Sequence, residues 1–481
     1  MTTKIYWYDN VLLIINPTKA IEKYLVWEKK KLVLDKKTYT RKTEKEKIKL
    51  YNVWHPGING ENKTIQTSHG FKDHVIKLCK KDNVKWELYD KRIPLDIPKK
   101  ELAFGFRLNQ ESLFREFITK GQSGILQAPT RYGKSIMIIN TIRSYPKLKT
   151  VVAAPGVDLL NQTVNDFQKA LPDREIKGVF TGSKGKTQSN DVTICSLDSL
   201  HKMDMEGTDL LLIDEPHAAV SETRAPVLAK FSNARIYGYG ATLEGRYDNA
   251  DKLITGLIGP VLSRRTFREA VEEKAICDIQ VFMVKMPFES FSCSRRDTAY
   301  KRLVYGNQIF IDAVASITNS VIPKEWQTII FIDQKNQADL IGKFVHDSQK
   351  VIAGRMTTKE RKQIFKDMVD DHVKRCICTD VYAQGVTFPD LKVMVNAAGG
   401  GGSISSTQKP GRLAQIRDDK KKGYLIDFIF ECTDPPPPEV NTRGSDAWRM
   451  VARDSFLRLK QYDKLGYSVK IVDSLTDIKF D

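Results

Sequence analysis

The sequence predicts an α/β protein with two parallel-sheet domains in tandem, preceded by a small α+β domain and followed by a closing helix. Three observations predict it. From about residue 101, short apolar runs alternate with helical patterns, the rhythm of strand–helix–strand units that lay down parallel sheets. That rhythm pauses once, near Gly259–Ile276, and then resumes, so the pattern divides in two. The first hundred residues follow a different rhythm and carry a different charge.

In that first segment, extended runs at Lys4–Ile15 and Tyr24–Leu34 precede a Lys-rich stretch, Lys42–Lys49. A Gly/Asn turn follows at Gly57–Gly60, then a helix-like stretch, Gly70–Lys81. Pro94 and Pro98 mark a linker. The apolar run Val11–Ile15 is too short for the core of a secretion signal and reads as a buried strand of a cytosolic protein. Residues 1–100 hold 23 Lys and Arg against 12 Asp and Glu, which is +11 of the chain's net +18. A basic excess concentrated in one fifth of the chain points to a polyanionic partner, although charge runs are also commonly plain solvated faces.

The first set of strands is expected at Gly124–Gln127, Thr150–Ala154, Val192–Ser196, Leu210–Asp214 and Arg235–Gly240. The second is expected at Ile279–Val284, Thr328–Ile332, Lys350–Ala353, Arg375–Thr379, Val393–Ala397 and Tyr424–Phe428. Thr357 and Glu360 form a capping-box pattern that starts one of the intervening helices. Gly399–Gly402 reads as a flexible surface loop, and Pro435–Pro438 as a stiff spacer before a last helix, Asp446–Lys464, with Trp448, Phe456 and Leu459 as its packing stripe. The expected segments are therefore 1–100, 101–265, 266–432 and 433–481. At 41% hydrophobic and 28% charged, with no apolar run near the ~20 residues that span a bilayer, the chain has the composition of a soluble globular protein rather than a membrane or disordered one. Its seven cysteines form no CxxC pair, which argues against a zinc site and fits a reducing compartment.

Two motifs carry chemistry. The run Ala128-Pro129-Thr130-Arg131-Tyr132-Gly133-Lys134-Ser135 follows a strand and opens a helix, the context of a phosphate-binding loop. Backbone N–H groups and the helix N-terminus attract phosphate oxygens there. Lys134 is placed to reach the terminal phosphates, and the Ser135 hydroxyl to hold Mg²⁺. The second motif is Leu210-Leu-Leu-Ile-Asp214-Glu215-Pro216-His217, an apolar strand that ends in two adjacent carboxylates. Asp214 is expected to bind Mg²⁺. Glu215 is expected to act as the general base toward the attacking water.

Together these motifs resemble the DExH box and phosphate loop of superfamily 2 helicases, and further motifs of that family follow in order between about residues 104 and 430. Arg107-Leu-Asn-Gln110 is similar to the adenine-recognising element, and Ala154-Pro155-Gly156 and Thr193–Leu200 to the nucleic-acid backbone motifs. Gly240-Ala241-Thr242 resembles the coupling motif III, and Phe331–Gln334 stands where motif IV belongs. Thr379-Asp380 with Gln384-Gly385-Val386-Thr387 resembles motif V, and Gln408-x-x-Gly411-Arg412 resembles motif VI. The resemblance implies two RecA-like domains, ATP and Mg²⁺ as cofactors, and DNA as partner. It implies nucleotide contacts from Arg107, Gln110, residues 128–135, Gly385 and Arg412. It also implies coupling roles for His217, Gly240, Ala241, Thr242 and Gln408, and DNA contacts from Pro155, Gly156, Ser196 and Thr379. Within the family, the basic N-terminal segment and the closing helix are most similar to the UvsW-type phage helicases, which implies remodelling of forked or branched DNA.

One departure stands out. The last Arg of motif VI, the arginine finger, is replaced by Gln415, which carries no charge to stabilise the transferring phosphoryl group. Arg412 suffices, or Arg417 takes over, or hydrolysis is slow. An RNA helicase, a double-strand translocase and an ATP-gated DNA-binding protein with little turnover stay open beside the fork-remodelling reading.

Overall fold

The computed structural model describes residues 2–35, 40–56, 62–93, 105–107, 109–155, 160–179, 188–243, 249–352, 354–379, 388, 390–401, 409–417, 420–435 and 446–480. The chain forms two compact units: Met1–Ala128 with Gly133–Arg265, and Thr266–Asp481 with the loop Pro129–Tyr132. No helix among the described residues is long and apolar enough to cross a membrane.

The first unit opens with seven strands: β1 (Thr3–Trp7), β2 (Val11–Ile15), β3 (Val26–Asp35), β4 (Thr40–Lys49), β5 (Tyr51–His55), β6 (Thr64–Ser68) and β7 (Trp86–Asp90). Five of them form a mixed sheet in the order β5-β6-β2-β1-β7, and β3 and β4 pair as a separate antiparallel ribbon. Alternation in β1 and β2 turns Ile5, Trp7, Leu12 and Ile14 inward, against Val75 and Cys79 of the helix Lys72–Lys81. The Lys-rich segment of the sequence is therefore one arm of a β-ribbon.

Next comes a seven-stranded, wholly parallel sheet: β8 (Gly124–Gln127), β9 (Thr150–Ala154), β10 (Ile176–Val179), β11 (Val192–Ser196), β12 (Leu210–Asp214), β13 (Arg235–Gly240) and β14 (Val261–Arg264), in the order β10-β11-β9-β12-β13-β8-β14. Five of these strands have the predicted bounds. The edge strands β10 and β14 did not announce themselves. They are four residues long, and each is interrupted by a polar side chain.

The small N-terminal sheet makes buried contacts with this parallel sheet, and the expected linker at Pro94 and Pro98 lies outside the described residues. Arg235, at the start of β13, is buried and forms an ion pair with Asp9 at 2.9 Å. It also donates to the carbonyls of Gly121 and Ile93. Gly70 and Gly256 pack so closely that a Cβ on Gly70 would lie 1.8 Å from the Thr255 carbonyl oxygen, and one on Gly256 would lie 2.4 Å from the Phe71 ring.

The second unit repeats the plan with β15 (Asp278–Phe288), β16 (Gln327–Phe331), β17 (Ser348–Val351), β18 (Arg375–Cys378), β19 (Leu391–Asn396), β20 (Lys422–Cys432) and β21 (Ser468–Val472). They form a parallel sheet in the order β17-β18-β16-β19-β20-β15-β21. The segment expected as a tail thus supplies its edge strand. The capping box at Thr357 forms, with Glu360 returning to the Thr357 N–H at 2.7 Å. The closing helix, Trp448–Leu465, buries Trp448, Val451, Asp454, Ser455, Arg458 and Tyr462. Phe456, expected in its packing stripe, is exposed. Beside Trp448 and Val451 the helix docks through polar anchors, so its buried face does not follow the apolar residues alone.

Arg458 and Asp427 of β20 form a buried pair, with Arg458 Nε 2.8 Å from one carboxylate oxygen and Nη2 2.9 Å from the other. The Tyr462 hydroxyl and Asn396 Nδ2 add hydrogen bonds to the same carboxylate, and Arg458 also donates to the Gly400 carbonyl. These partners satisfy a carboxylate that has no contact with water.

Candidate active site

The phosphate loop begins where β8 ends. The Ala128 N–H donates to the Gly240 carbonyl at 3.0 Å, tying the loop's base to β13. Ala128 and Tyr132 are buried, and Pro129 and Thr130 half-buried. Arg131 has a φ of 73°, a conformation few non-glycine residues adopt. Gly133, at φ 99°, caps the helix Lys134–Ser144 and accepts from the N–H groups of Ile136 and Met137. Only glycine fits there, because a Cβ would also lie 2.7 Å from Gln110 Nε2. The Gln110 carboxamide therefore rests on the loop, and its Oε1 accepts from the Arg107 N–H at 2.7 Å. Lys134 and Ser135 open the helix, with the Ser135 side chain exposed.

Strand β12 delivers the carboxylates. Leu210–Ile213 are fully buried, so the strand end cannot shift without exposing them. Glu215 then turns the chain at φ 54°, held by its N–H to the Tyr239 carbonyl at 2.9 Å. Pro216 lies against β13, where a Cβ on Gly238 or Gly240 would come within 2.8 Å of the ring. Those glycines admit the acidic motif to the neighbouring strand. The Glu215 carboxylate sits between Lys134 Nζ, at 3.5 Å, and His217 Nδ1, at 3.4 Å. Burial, then the charge of Glu215, push the Asp214 carboxyl up to about 7, against the opposing pull of Lys134.

One lysine beside two adjacent carboxylates leaves a site that favours a further cation. The oxygens of Asp214 and Ser135 are of the hard kind that Mg²⁺ prefers. No group of three or more His, Cys, Asp or Glu side chains that could hold a metal occurs among the described residues. The Thr242 hydroxyl, next to Ala241, is buried and has no hydrogen-bond partner among the described residues.

In the second unit, Arg412 is buried in the short turn Pro410–Ala414. The turn is held from two sides. Cys277 Sγ donates to the Leu413 carbonyl at 3.0 Å, and the buried Lys420 donates to the carbonyls of Leu413 and Leu391. Burial pulls the Lys420 ammonium down to about 8. Arg417 is paired with Asp390.

A cavity of about 630 Å³ opens beyond β16 and β19, lined by Arg296, Tyr300, Tyr305, Asp333, Lys409 and the run Gly399–Gly401, among others. The Tyr300 hydroxyl accepts from the Gly400 N–H and donates to Asp454, and Gly399 and Gly400 have φ of 69° and 80°.

A model of the type III restriction enzyme res subunit matches residues 103–245, and a model of the helicase conserved C-terminal domain matches residues 312–417. The chain belongs to the superfamily 2 helicases. Among curated relatives, "Putative helicase 22" of a Sulfolobus islandicus filamentous virus is 20% identical over 340 residues, 64% of this chain and 60% of that protein. The "DNA 3'-5' translocase XPB2" of Sulfurisphaera tokodaii is 22% identical, over 65% of this chain and 79% of its own. Of solved structures, the type ISP restriction-modification enzyme LlaBIII bound to DNA aligns over 82% of this chain and 34% of its own, at 13% identity and a TM-score of 0.54. The crystal structure of T4 UvsW aligns over 98% of this chain and 99% of its own, at 14% identity and a TM-score of 0.40. The fold is two RecA-like parallel sheets in tandem.

In this helicase the first unit brings together Gln110, Gly133, Lys134, Glu215 and His217, all predicted from sequence. Gly156, Gly385 and Gln408 lie outside the described residues. Pro155 is half-buried at the end of β9, and Thr379 is buried just past β18. Ser196 is also expected as a DNA contact. It is buried, and its hydroxyl donates to Ser199 at 2.9 Å, because the whole of β11 is interior. Arg296, Tyr300 and Gly399–Gly401 went unrecognised as cavity-lining residues. A glycine run after a strand was the available signal, and it read as a surface loop.

Proposed function

We propose that this ATP-dependent helicase works on DNA and remodels branched forms of it, by fork regression, branch migration and unwinding. The observation that carries the reading is the attachment of the N-terminal segment. Residues 1–100 hold +11 of the +18 charges, and the sheet they form is fixed onto the first motor sheet through buried polar contacts such as Arg235–Asp9. A basic body rigidly joined to a motor suits holding one duplex arm while the motor acts on the strand beside it. We assign 1–100 as the accessory segment, 101–265 and 266–432 as the motor segments, and 433–481 as the closing segment.

For turnover, Lys134 offsets phosphate charge, and Ser135 and Asp214 would hold Mg²⁺, which would supply Lewis-acid stabilisation. Glu215 takes the proton of the attacking water, with His217 and Lys134 fixing its carboxylate. Arg107 and Gln110 address the base, with residues 128–133 and Gly385 around the nucleotide. Gly240–Thr242 and Gln408 couple turnover to movement, and Pro155, Gly156 and Thr379 meet the DNA backbone. Arg412 supplies the positive charge that Gln415 lacks.

The test is ATPase stimulation of the full chain by single strands, linear duplex, forks, four-way junctions and RNA. Forks and junctions are expected to stimulate most. Strongest stimulation by RNA, or equal stimulation by plain duplex, overturns the branched-DNA assignment.

A further inference from the structure

The ribbon β3–β4 pairs ten residues on each arm, from Val26 opposite Lys49 to Asp35 opposite Thr40, a length of about 33 Å. Cross-strand partners share a face, and faces alternate along each strand. Among residues with described side chains, Val26, Glu28 and Lys30 therefore share one face with Thr43, Lys45, Lys47 and Lys49. The opposite face carries Trp27 and Lys29 with Glu44, Glu46 and Ile48. The register thus sorts charge: four lysines and one glutamate on the first face, one lysine and two glutamates on the second.

The second face is the docked one. Trp27 belongs to the apolar core of the first motor sheet, with Ile48 packed against that core, and Lys29 Nζ lies 2.5 Å from Glu222. The root of the ribbon is tied down by Lys252, which donates to the Val26 carbonyl at 3.0 Å, and by Asn249, which donates to the Glu28 carbonyl at 3.0 Å. On the lysine face, Lys45, Lys47 and Lys49 are exposed, and Lys45 meets Glu28 only at 3.9 Å. Such a contact between exposed groups offsets little of its charge.

We propose that this lysine face of the ribbon is a docking strip for the phosphate backbone of duplex DNA. The inference rests on the DNA reading above and assigns the contact to one face of one element. Successive lysines on the face stand about 6.8 Å apart, twice the ~3.4 Å axial spacing of phosphates along one strand. The anchored opposite face keeps the strip pointed away from the motor core. Contacts to phosphate carry no base information, so the docking is expected to be independent of sequence.

The test compares two full-length triple variants: Lys45→Gln/Lys47→Gln/Lys49→Gln on the strip, and Lys80→Gln/Lys81→Gln/Lys85→Gln elsewhere in the same segment. Both remove the same charge from exposed positions, and circular dichroism melting checks that both stay folded. The readout is the slope of log affinity against log salt for a blunt DNA duplex, with single-stranded DNA and an RNA duplex as further probes. Each lost phosphate contact lowers the slope by about 0.9 for B-form DNA, so the strip variant is expected to lose about 2–3 and the control less than 1. Equal losses in both variants, or a strip effect confined to single strands or RNA, overturn the docking strip. A parent protein whose ATPase no DNA stimulates defeats the DNA reading itself, whatever the slopes.

Discussion

The two parallel sheets of this helicase have the same strand order plan, and a buried Arg–Asp pair helps join each to its accessory segment, but the pairs run in opposite senses. In the first unit the arginine, Arg235, is on the motor sheet and Asp9 is on the accessory sheet. In the second the aspartate, Asp427, is on the motor sheet and Arg458 comes from the closing helix. The surroundings differ as well. Asp427 is sealed from water and also serves Tyr462 and Asn396, whereas Asp9 keeps some exposure and accepts from the Ile93 N–H. One accessory is a separate sheet fastened to the outside of a motor domain. The other is part of its domain's own sheet, since β21 follows the helix directly.

That contrast sets the largest expected effect. Arg458→Met strands a carboxylate in a fully dry site and is expected to destabilise the second unit by about 3–5 kcal/mol. Arg235→Met is expected to fall at the lower end of that range, because Asp9 retains a backbone partner and some water. Thermal unfolding of both variants checks the order. A larger loss at Arg235 would show that the N-terminal sheet, not the closing helix, is the more integral accessory.

Chemistry separates the units in a second way. Glu215→Gln keeps the shape between Lys134 and His217 but accepts no proton. It is expected to bind nucleotide and lower turnover by about 10²–10³-fold. Lys134→Ala is expected to abolish turnover with little change in melting, since its contact at 3.5 Å is not a packing contact. Loss of nucleotide binding in the Glu215 variant would mean that its role and that of Asp214 are exchanged. In the second unit Arg412→Ala is expected to cost roughly tenfold more activity than Arg417→Ala, because Arg417 is already committed to Asp390. Equal, large losses at both would place the finger at Arg417, and a rise in turnover with Gln415→Arg would show that the substitution limits the native rate.

The sequence announced those elements whose pattern is local. Leu210–Asp214 is a strand because four apolar residues run into two acids, and Gly133 caps a helix because it precedes Lys-Ser. The edge strands β10, β14 and β21 escaped notice because their short, lysine- or serine-interrupted runs resemble loops. The partnerships that seat the accessories were also silent. Asp9 and Arg235 stand 226 residues apart, and the Gly238 and Gly240 cradle for Pro216 is a contact between strands that no spacing encodes. Ser196 is a third case: a strand-end motif position gives the residue's place along the strand but not the side to which its hydroxyl turns.

Ser196 also supplies the smallest expected effect. The strand ends of the first sheet include half-exposed positions, such as Pro155, and sealed ones, such as Ser196. A hydroxyl whose hydrogen bond is internal contributes to stability, by about 1 kcal/mol for a bond of this kind, and offers nothing to a phosphate. Ser196→Ala is therefore expected to lower the melting temperature by a few degrees, at about 2–4 °C per kcal/mol for a domain of this size, while DNA affinity and its salt slope stay at the parent values. Single-strand binding titrated at two salt concentrations, beside a melting curve, separates the outcomes. A clear fall in affinity with unchanged melting would mean that the Ser196–Ser199 bond opens when DNA arrives. The first unit would then have to rearrange at β11 to bind its substrate.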